Sequence, residues 1–133
     1  MNAGKLLFAQ LMDFLPWTSF ARSVARYGGD RRVRSLSCAE QFRAMAFAQL
    51  TFRESLRDIE ACLGAQPNKL YHLGFRSPVR RSTLAEANES RDWRNHAEVA
   101  QRLIAQARRL YAKESLGVEL NSAVYALDST TID

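Results

Sequence analysis

Asp128 is the residue of this sequence whose type and setting most favour chemistry. It follows the apolar and aromatic run Val124 to Leu127, which is typical of a β-strand, and three small hydroxyl residues follow it. An unpaired carboxylate is costly to bury, so a carboxylate at the end of an apolar strand is often a site residue that holds a metal or a proton. The alternative is that Asp128 caps the following turn through its hydroxyl neighbours.

Metal-assisted phosphoryl chemistry requires several carboxylates around one or two divalent ions. Asp133 is the next carboxylate after Asp128, and along a continuing strand it would lie about 17 Å away. The acids upstream fall on helical segments without a common spacing. The sequence therefore supplies one candidate metal ligand and lacks the others, so we expect this chain not to catalyse by itself.

The sequence contains few residues that would suit other classes of reaction. His72 and His96 lie in unlike contexts, and Gly28-Gly29 is typical of a helix stop rather than of a phosphate-binding loop. Cys38 and Cys62 form no zinc-binding pattern, so we expect two reduced thiols in a cytoplasmic protein. No run of about 18 apolar residues is present, so no membrane partner is expected.

Basic residues favour an acidic partner, of which nucleic acid is the commonest. The net charge is +5 and the isoelectric point is about 9.7. A basic connector covers residues 31–36, and residues 61–85 contain no acid. The second stretch leads into a helix with Ser82 as its candidate N-cap, a good setting for binding phosphate, although both stretches would also suit solvated surface loops. The residues predicted to contact DNA are Arg31, Arg32, Arg34, Lys69, Arg76, Arg80 and Arg81.

The remaining pattern predicts a mainly α fold. Two short helices precede the glycine stop, and the capping boxes Ser37–Glu40 and Thr51–Glu54 predict two more, in the outline of a helix-turn-helix. After a short helix over residues 84–89, a long amphipathic helix begins near Trp93. Its apolar stripe, which runs to Tyr111, is expected to be core. Residues 116–122 separate this helical region from the terminal strand.

Several segments resemble bacterial insertion-sequence transposases of the insertion sequence 4 group. Leu127-Asp-Ser-Thr-Thr-Ile-Asp133 resembles the first-aspartate motif of that group. Three upstream segments resemble the N-terminal domain of the same group: Phe47-Ala-Gln-Leu-Thr-Phe-Arg-Glu-Ser-Leu-Arg-Asp-Ile-Glu60, Lys69-Leu-Tyr-His-Leu-Gly-Phe-Arg76 and Arg81-Ser-Thr-Leu-Ala-Glu-Ala-Asn-Glu-Ser-Arg-Asp-Trp-Arg94. The resemblance covers essentially the whole chain.

The resemblance implies a cut-and-paste DNA transposase. Members have a ribonuclease-H-like core in which an Asp, a second Asp and a Glu bind two magnesium or manganese ions. Their helical N-terminal domain is implied to bind the terminal inverted repeats. Asp128 matches the first catalytic and metal-binding Asp, and residues 129–131 match the hydroxyl residues behind it.

The positions of the second Asp and the Glu lie beyond residue 133. We therefore expect a helical DNA-binding domain over residues 1–117 and the first strand of a truncated ribonuclease-H-like domain over residues 118–133. No metal is expected to bind tightly to this fragment. The competing hypothesis is a non-catalytic helical interaction module, dimeric or inhibitory, derived from a transposase. In either case we expect a bacterial cytoplasmic protein at the nucleoid, with DNA or a second copy of itself as partner.

Overall fold

Every regular element in the described part of the protein is helical. A computed structural model describes residues 6–114. The elements are α1 (Leu7–Met12), α2 (Trp17–Arg26), α3 (Cys38–Leu50), α4 (Leu56–Gly64), a 3₁₀ turn (Pro67–Lys69), α5 (Leu70–Leu73), α6 (Arg81–Ser90) and α7 (Arg94–Tyr111). The predicted mainly α class is confirmed. The predicted strand and Asp128 lie outside the described residues.

Helix α3 is central because it packs into both hydrophobic clusters. Its Ala44 and Ala48 join the larger cluster, in which α4, α5 and α6 contribute Ile59, Leu63, Leu70 and Leu84. Its Cys38 joins the smaller cluster with Phe20 and Val24 of α2 and Val99 of α7, and Phe42 packs against that cluster. Helices from both halves of the described range therefore pack on α3.

The two predicted capping boxes behave differently. Ser37 caps α3 as predicted, since its hydroxyl accepts a hydrogen bond of 3.1 Å from the backbone N–H of Glu40. The Glu40 side chain does not complete the box, because it pairs with Arg76 instead. The second prediction was wrong: the Thr51 hydroxyl donates to the Phe47 carbonyl at 2.6 Å and ends α3.

Ser55 is the residue that caps α4, accepting from the Asp58 N–H at 3.1 Å. Helices α3 and α4 are thus joined by residues 51–55, so the two helices of the predicted helix-turn-helix outline are present. None of the helices within residues 6–114 is long and apolar enough to cross a membrane.

Two predictions about α6 and α7 were also wrong. Ser82 is not the N-cap of α6, because the helix begins at Arg81 and the N-cap is Arg80, two residues before Ser82. Trp93 is not core: it is 73% exposed, since it precedes α7 and lies off its packed face. The rest of the predicted α7 stripe is also mostly uncovered: the helix buries Asn95 and Val99, which lie off that stripe, while Leu103 is partly packed and Leu110 and Tyr111 are exposed.

Candidate nucleic-acid interface

Residues 28–36, called the connector below, link α2 to α3 through tight turns. The Arg31 N–H donates to the Gly28 carbonyl at 3.1 Å, and the Val33 N–H donates to the Asp30 carbonyl at 3.2 Å. Gly28 has a φ of 63°, as predicted for a glycine helix stop, and Arg32 has a φ of 61°. The connector is therefore a turned segment rather than an extended one, and its arginines follow one another closely around the turns.

Hydrogen bonds from both directions hold the connector in place. The Asp30 carboxylate accepts from the backbone N–H of Cys38 at 2.7 Å, which ties the connector to the start of α3. From the other side, the Arg91 guanidinium donates to the Leu36 carbonyl and, at 3.1 Å, to the side-chain oxygen of Gln41. Because Arg91 follows α6 directly, it clamps the connector between α3 and α6.

A groove of about 630 Å³, called the arginine groove below, lies between the connector and α6. Its walls include Arg31, Arg32 and Arg34 on one side and Thr83 and Glu86 of α6 on the other. An adjoining depression of about 250 Å³ shares Ser35, Leu36 and Thr83 with it and reaches Arg80. The tertiary structure thus brings together two basic segments that are far apart in the sequence.

The charges around the arginine groove leave it electropositive. Arg31, Arg32 and Arg34 are exposed and form no ion pair with another residue of the described range 6–114. Asp92 also lines the groove, but it is paired with Arg94 at 2.6 Å. Hydrogen bonds from the Arg94 side chain and backbone N–H hold the pKa of Asp92 below its usual value. Glu86 is left as the acid that faces the three connector arginines.

The beginning of α6 adds a second source of positive potential beside the groove. Arg80 is the N-cap residue and makes no side-chain capping hydrogen bond, and Arg81 is the first residue of the helix. The first N–H groups of a helix have no intrahelical acceptor, and the helix dipole favours an anion there. Backbone donors and the exposed Arg80 guanidinium therefore coincide at the adjoining depression, with exposed Arg81 next in the chain.

Arg76 and Lys69 line neither the arginine groove nor the adjoining depression. The Arg76 Nε donates to a Glu40 carboxylate oxygen at 2.6 Å, and the Glu40 side chain is only 3% exposed. This contact raises the pKa of the Arg76 guanidinium. Arg76 thus compensates a buried negative charge. Lys69 ends the 3₁₀ turn on the chain segment before α5.

Sequence reasoning did not single out Arg91, although it positions the connector. Its partners Leu36 and Gln41 are 55 and 50 residues away in the chain. A contact between residues so far apart in the chain leaves no pattern in the local sequence. The available hint was that Arg91 follows the predicted helix over residues 84–89, where a cation is favoured by the C-terminal end of the dipole.

The described residues do not form a metal centre. No group of three or more His, Cys, Asp and Glu side chains within residues 6–114 is arranged to hold an ion. Asp128, the predicted ligand, lies outside this range. The described residues therefore do not fit the magnesium or manganese ions that the resemblance implies, and no catalytic step follows from them.

These observations define a helical domain with a braced, arginine-lined groove. The chain belongs to the family described as "Domain of unknown function (DUF4372)", whose model matches residues 3–76, more than half of the chain. This domain is known to occur in transposase-like proteins. The match includes α1 to α5 and the whole connector, and it ends before α6. Searches of curated proteins and of solved structures found no match.

Proposed function

We propose that this chain is the N-terminal region of a cut-and-paste transposase of the insertion sequence 4 group, and that its helical part binds the terminal inverted repeats of the transposon DNA. The observation that supports this most is the arginine groove, where three exposed guanidinium groups on a braced turn lie across from α6. The net charge of +5 and the occurrence of this domain in transposase-like proteins point in the same direction.

Phosphate groups are the part of DNA that this surface suits. Guanidinium groups bind phosphate oxygens through paired N–H donors, and a helix N-terminus offers backbone N–H groups to the same kind of ligand. The connector is already held by Asp30 and Arg91, so less conformational entropy is lost when its side chains bind. Phosphate contacts determine register and affinity, whereas sequence is read at the base edges. The groove is therefore proposed as the anchoring surface.

A salt series of binding to an inverted-repeat duplex tests the groove. Each phosphate contact that is lost should lower the slope of log affinity against log salt by about 0.9, so a variant without the three connector arginines should lose up to about 2.7. Arg31→Gln and Arg34→Gln remove charge, and Arg32→Gly does so with a residue that tolerates the 61° φ.

The matched control is Arg109→Gln on α7, an exposed arginine that lines neither the arginine groove nor the adjoining depression. It should leave the slope nearly unchanged. If the triple connector variant retains the wild-type affinity and slope, the groove is not the DNA-binding surface. If Arg80→Ala with Arg81→Ala lowers the slope while the connector variant does not, the start of α6 is the contact and the groove is refuted.

Asp128 is proposed as the first metal-binding residue on the resemblance alone. In a protein that also carries the second Asp and the Glu, Asp128→Asn should abolish strand cleavage and leave end binding largely intact. Cleavage at the wild-type rate by this variant would remove Asp128 from the site. Magnesium or manganese titration of end binding should show little difference between the two proteins.

The alternative function is a non-catalytic interaction module. The observation in its favour is the group of exposed apolar side chains on α7, with Leu110 71% and Tyr111 65% exposed. A mobility shift at low salt combined with light scattering separates the two functions. Absence of DNA binding together with a mass that rises with concentration would favour the module. A DNA complex formed by a protein of constant mass would favour the transposase region.

A further inference from the structure

A second groove, of about 580 Å³, lies between α2 and the beginning of α3, and we call it the α2–α3 groove. One wall is a single face of α2 that runs from Trp17 to Ala25, and Ala39 and Arg43 of α3 lie on the other side. The groove is open because small residues line it where two helices would otherwise fill the space, and Ala21 and Ala25 are exposed. Its volume falls within the range of small-molecule sites.

The aromatic end of the α2–α3 groove is fixed by its own contacts. The Trp17 Nε1 donates to the Met12 carbonyl at 2.7 Å. The indole also packs edge to face on Phe20 and Phe42, with ring centroids 5.8 Å and 5.9 Å apart. This wall is therefore in place before a ligand arrives, which reduces the entropy lost on binding.

The Arg43 guanidinium lies at the same end of the groove. Its Cζ is 4.2 Å from the centroid of the Trp17 ring, a cation–π contact. It also touches the backbone at Gly74, where an added Cβ would lie 2.6 Å from the Arg43 Nε. The side chain is half-buried, and it forms neither a side-chain hydrogen bond nor an ion pair with another residue of the described range 6–114. A positioned cation thus has unused N–H donors.

The surrounding acids leave this cation incompletely compensated. The charge of Glu40 acts on Arg43, but that carboxylate is bonded to Arg76 at 2.6 Å. Burial lowers the pKa of the Arg43 guanidinium, which shows that its charged form lacks full compensation. Asp30 lines the connector end of the groove beside Arg31, and it already accepts a hydrogen bond of 2.7 Å from a backbone N–H of α3. An anionic group therefore fits best at the Trp17 end.

We propose that the α2–α3 groove binds an organic acid with an elongated apolar body, whose carboxylate is bound by Arg43. A guanidinium offers paired N–H donors to the two oxygens of a carboxylate. The apolar wall from Trp17 to Ala25 is about 12 Å long at 1.5 Å per helical residue, which suits two linked rings or a medium alkyl chain. The inference uses neither the arginine groove nor DNA binding, so it stands or falls separately from the proposed function.

Titration of the full-length chain with biphenyl-4-carboxylate, followed by NMR of the indole N–H signals, tests the site. The chain contains two tryptophans, which gives an internal control. The Trp17 signal should shift, whereas the Trp93 signal should not, because Trp93 is exposed and does not line the groove. Decanoate should shift the same signal. Acetate, which lacks an apolar body, should not.

Calorimetric affinities show whether charge contributes to binding. The neutral analogue biphenyl-4-methanol should bind at least about tenfold more weakly than the acid, because it loses the charge-assisted hydrogen bonds. Arg43→Gln should weaken binding of the acid by a similar factor and leave binding of the neutral analogue nearly unchanged. Arg109→Gln, at an exposed position outside the groove, is the matched control and should change neither affinity.

A variant that fills the groove tests its location without altering Arg43. Ala21→Phe places a ring in the groove from an exposed position and should weaken binding of the acid by at least about tenfold. Ala85→Phe, at an exposed position of α6 outside the groove, is its control and should bind as the wild type does. Circular dichroism verifies that each variant folds. If Arg43→Gln does not fold, the neutral analogue and Ala21→Phe decide the question.

Three results would overturn the proposal. The first is that neither biphenyl-4-carboxylate nor decanoate shifts the Trp17 signal. The second is that the neutral analogue binds as tightly as the acid, or that Ala21→Phe retains the wild-type affinity. The third is a dimer in light scattering that Ala21→Phe dissociates, because a second copy is then the occupant of the groove.

Discussion

Replacing Phe52 by glycine should stabilise the protein. Phe52 follows the C-cap of α3 with a φ of 57°, a conformation that bulky residues rarely adopt. The Arg53 N–H donates to the Ala48 carbonyl at 2.9 Å, which closes the turn. The same six-residue hydrogen bond closes α5, from Phe75 to Leu70, and there the left-handed residue is Gly74.

The size of the effect follows from two opposing contributions. A left-handed conformation costs an L-residue about 1–2 kcal/mol, which glycine avoids. Glycine loses more chain entropy on folding, at about 0.5–1 kcal/mol. Phe52 is 90% exposed, so removing its ring sacrifices little buried surface. The net gain should be about 0.5–1 kcal/mol, which raises the melting temperature by about 2–4 °C for a domain of this size.

Thermal and urea unfolding followed by circular dichroism measure the change. Phe52→Ala is the matched control, since it removes the ring but keeps a side chain at positive φ. It should be no more stable than the wild type. The reasoning is refuted if Phe52→Gly is less stable than the wild type, or if the alanine variant gains as much as the glycine variant, because the strain is then not the cause.

Three further predictions concern buried groups. Burial, with Arg91 nearby, lowers the pKa of His96 in the folded protein, so His96 binds a proton more readily when the chain is unfolded. Stability should therefore be fully present above about pH 6.5 and fall as the pH decreases towards the folded pKa, and His96→Phe should flatten this dependence in urea titrations. A Cβ on Gly29 would lie 2.7 Å from the Cys38 sulfur, so Gly29→Ala should destabilise by about 1–3 kcal/mol, whereas Gly64→Ala, with open space around it, should not. Burial raises the pKa of Cys38 to about 11, so a disulfide reagent near neutral pH should modify half-buried Cys62 first, and equal rates in the folded protein would contradict this.

Local signals in the sequence predicted the helices well and their ends less well. The Ser37 cap and the Gly28 stop were found because each depends on residues within one turn of the chain. Thr51 was misread as a cap because a threonine hydroxyl can bond forwards to a helix start or back to a carbonyl four residues earlier. Ser82 was predicted as the N-cap of α6, and the actual N-cap, Arg80, lies two residues earlier.

The periodicity of the apolar residues in α7 did not predict which of them are buried. Periodic apolar residues indicate which face of a helix is apolar, not how far its partner extends. Helix α2 packs on α7 only as far as Leu103, because the start of α2, at Trp17, lies beside Val99 and no part of α2 extends along the later turns of α7. The exposure of Leu110 and Tyr111 is thus a property of the packing.

By itself, the sequence determined the helical class, the basic character and the presence of two arginine-rich stretches, since these depend on composition and short-range periodicity. Only the tertiary structure decided which cations are available. Arg76 is engaged by buried Glu40, 36 residues away, and Arg91 is engaged by Leu36 and Gln41. Arg31, Arg32 and Arg34 remain exposed on a braced turn. The physical reason is that a guanidinium becomes structural or available through the acceptors within hydrogen-bond reach, and for Arg76 and Arg91 the packing of α3 brings acceptors there from distant parts of the chain.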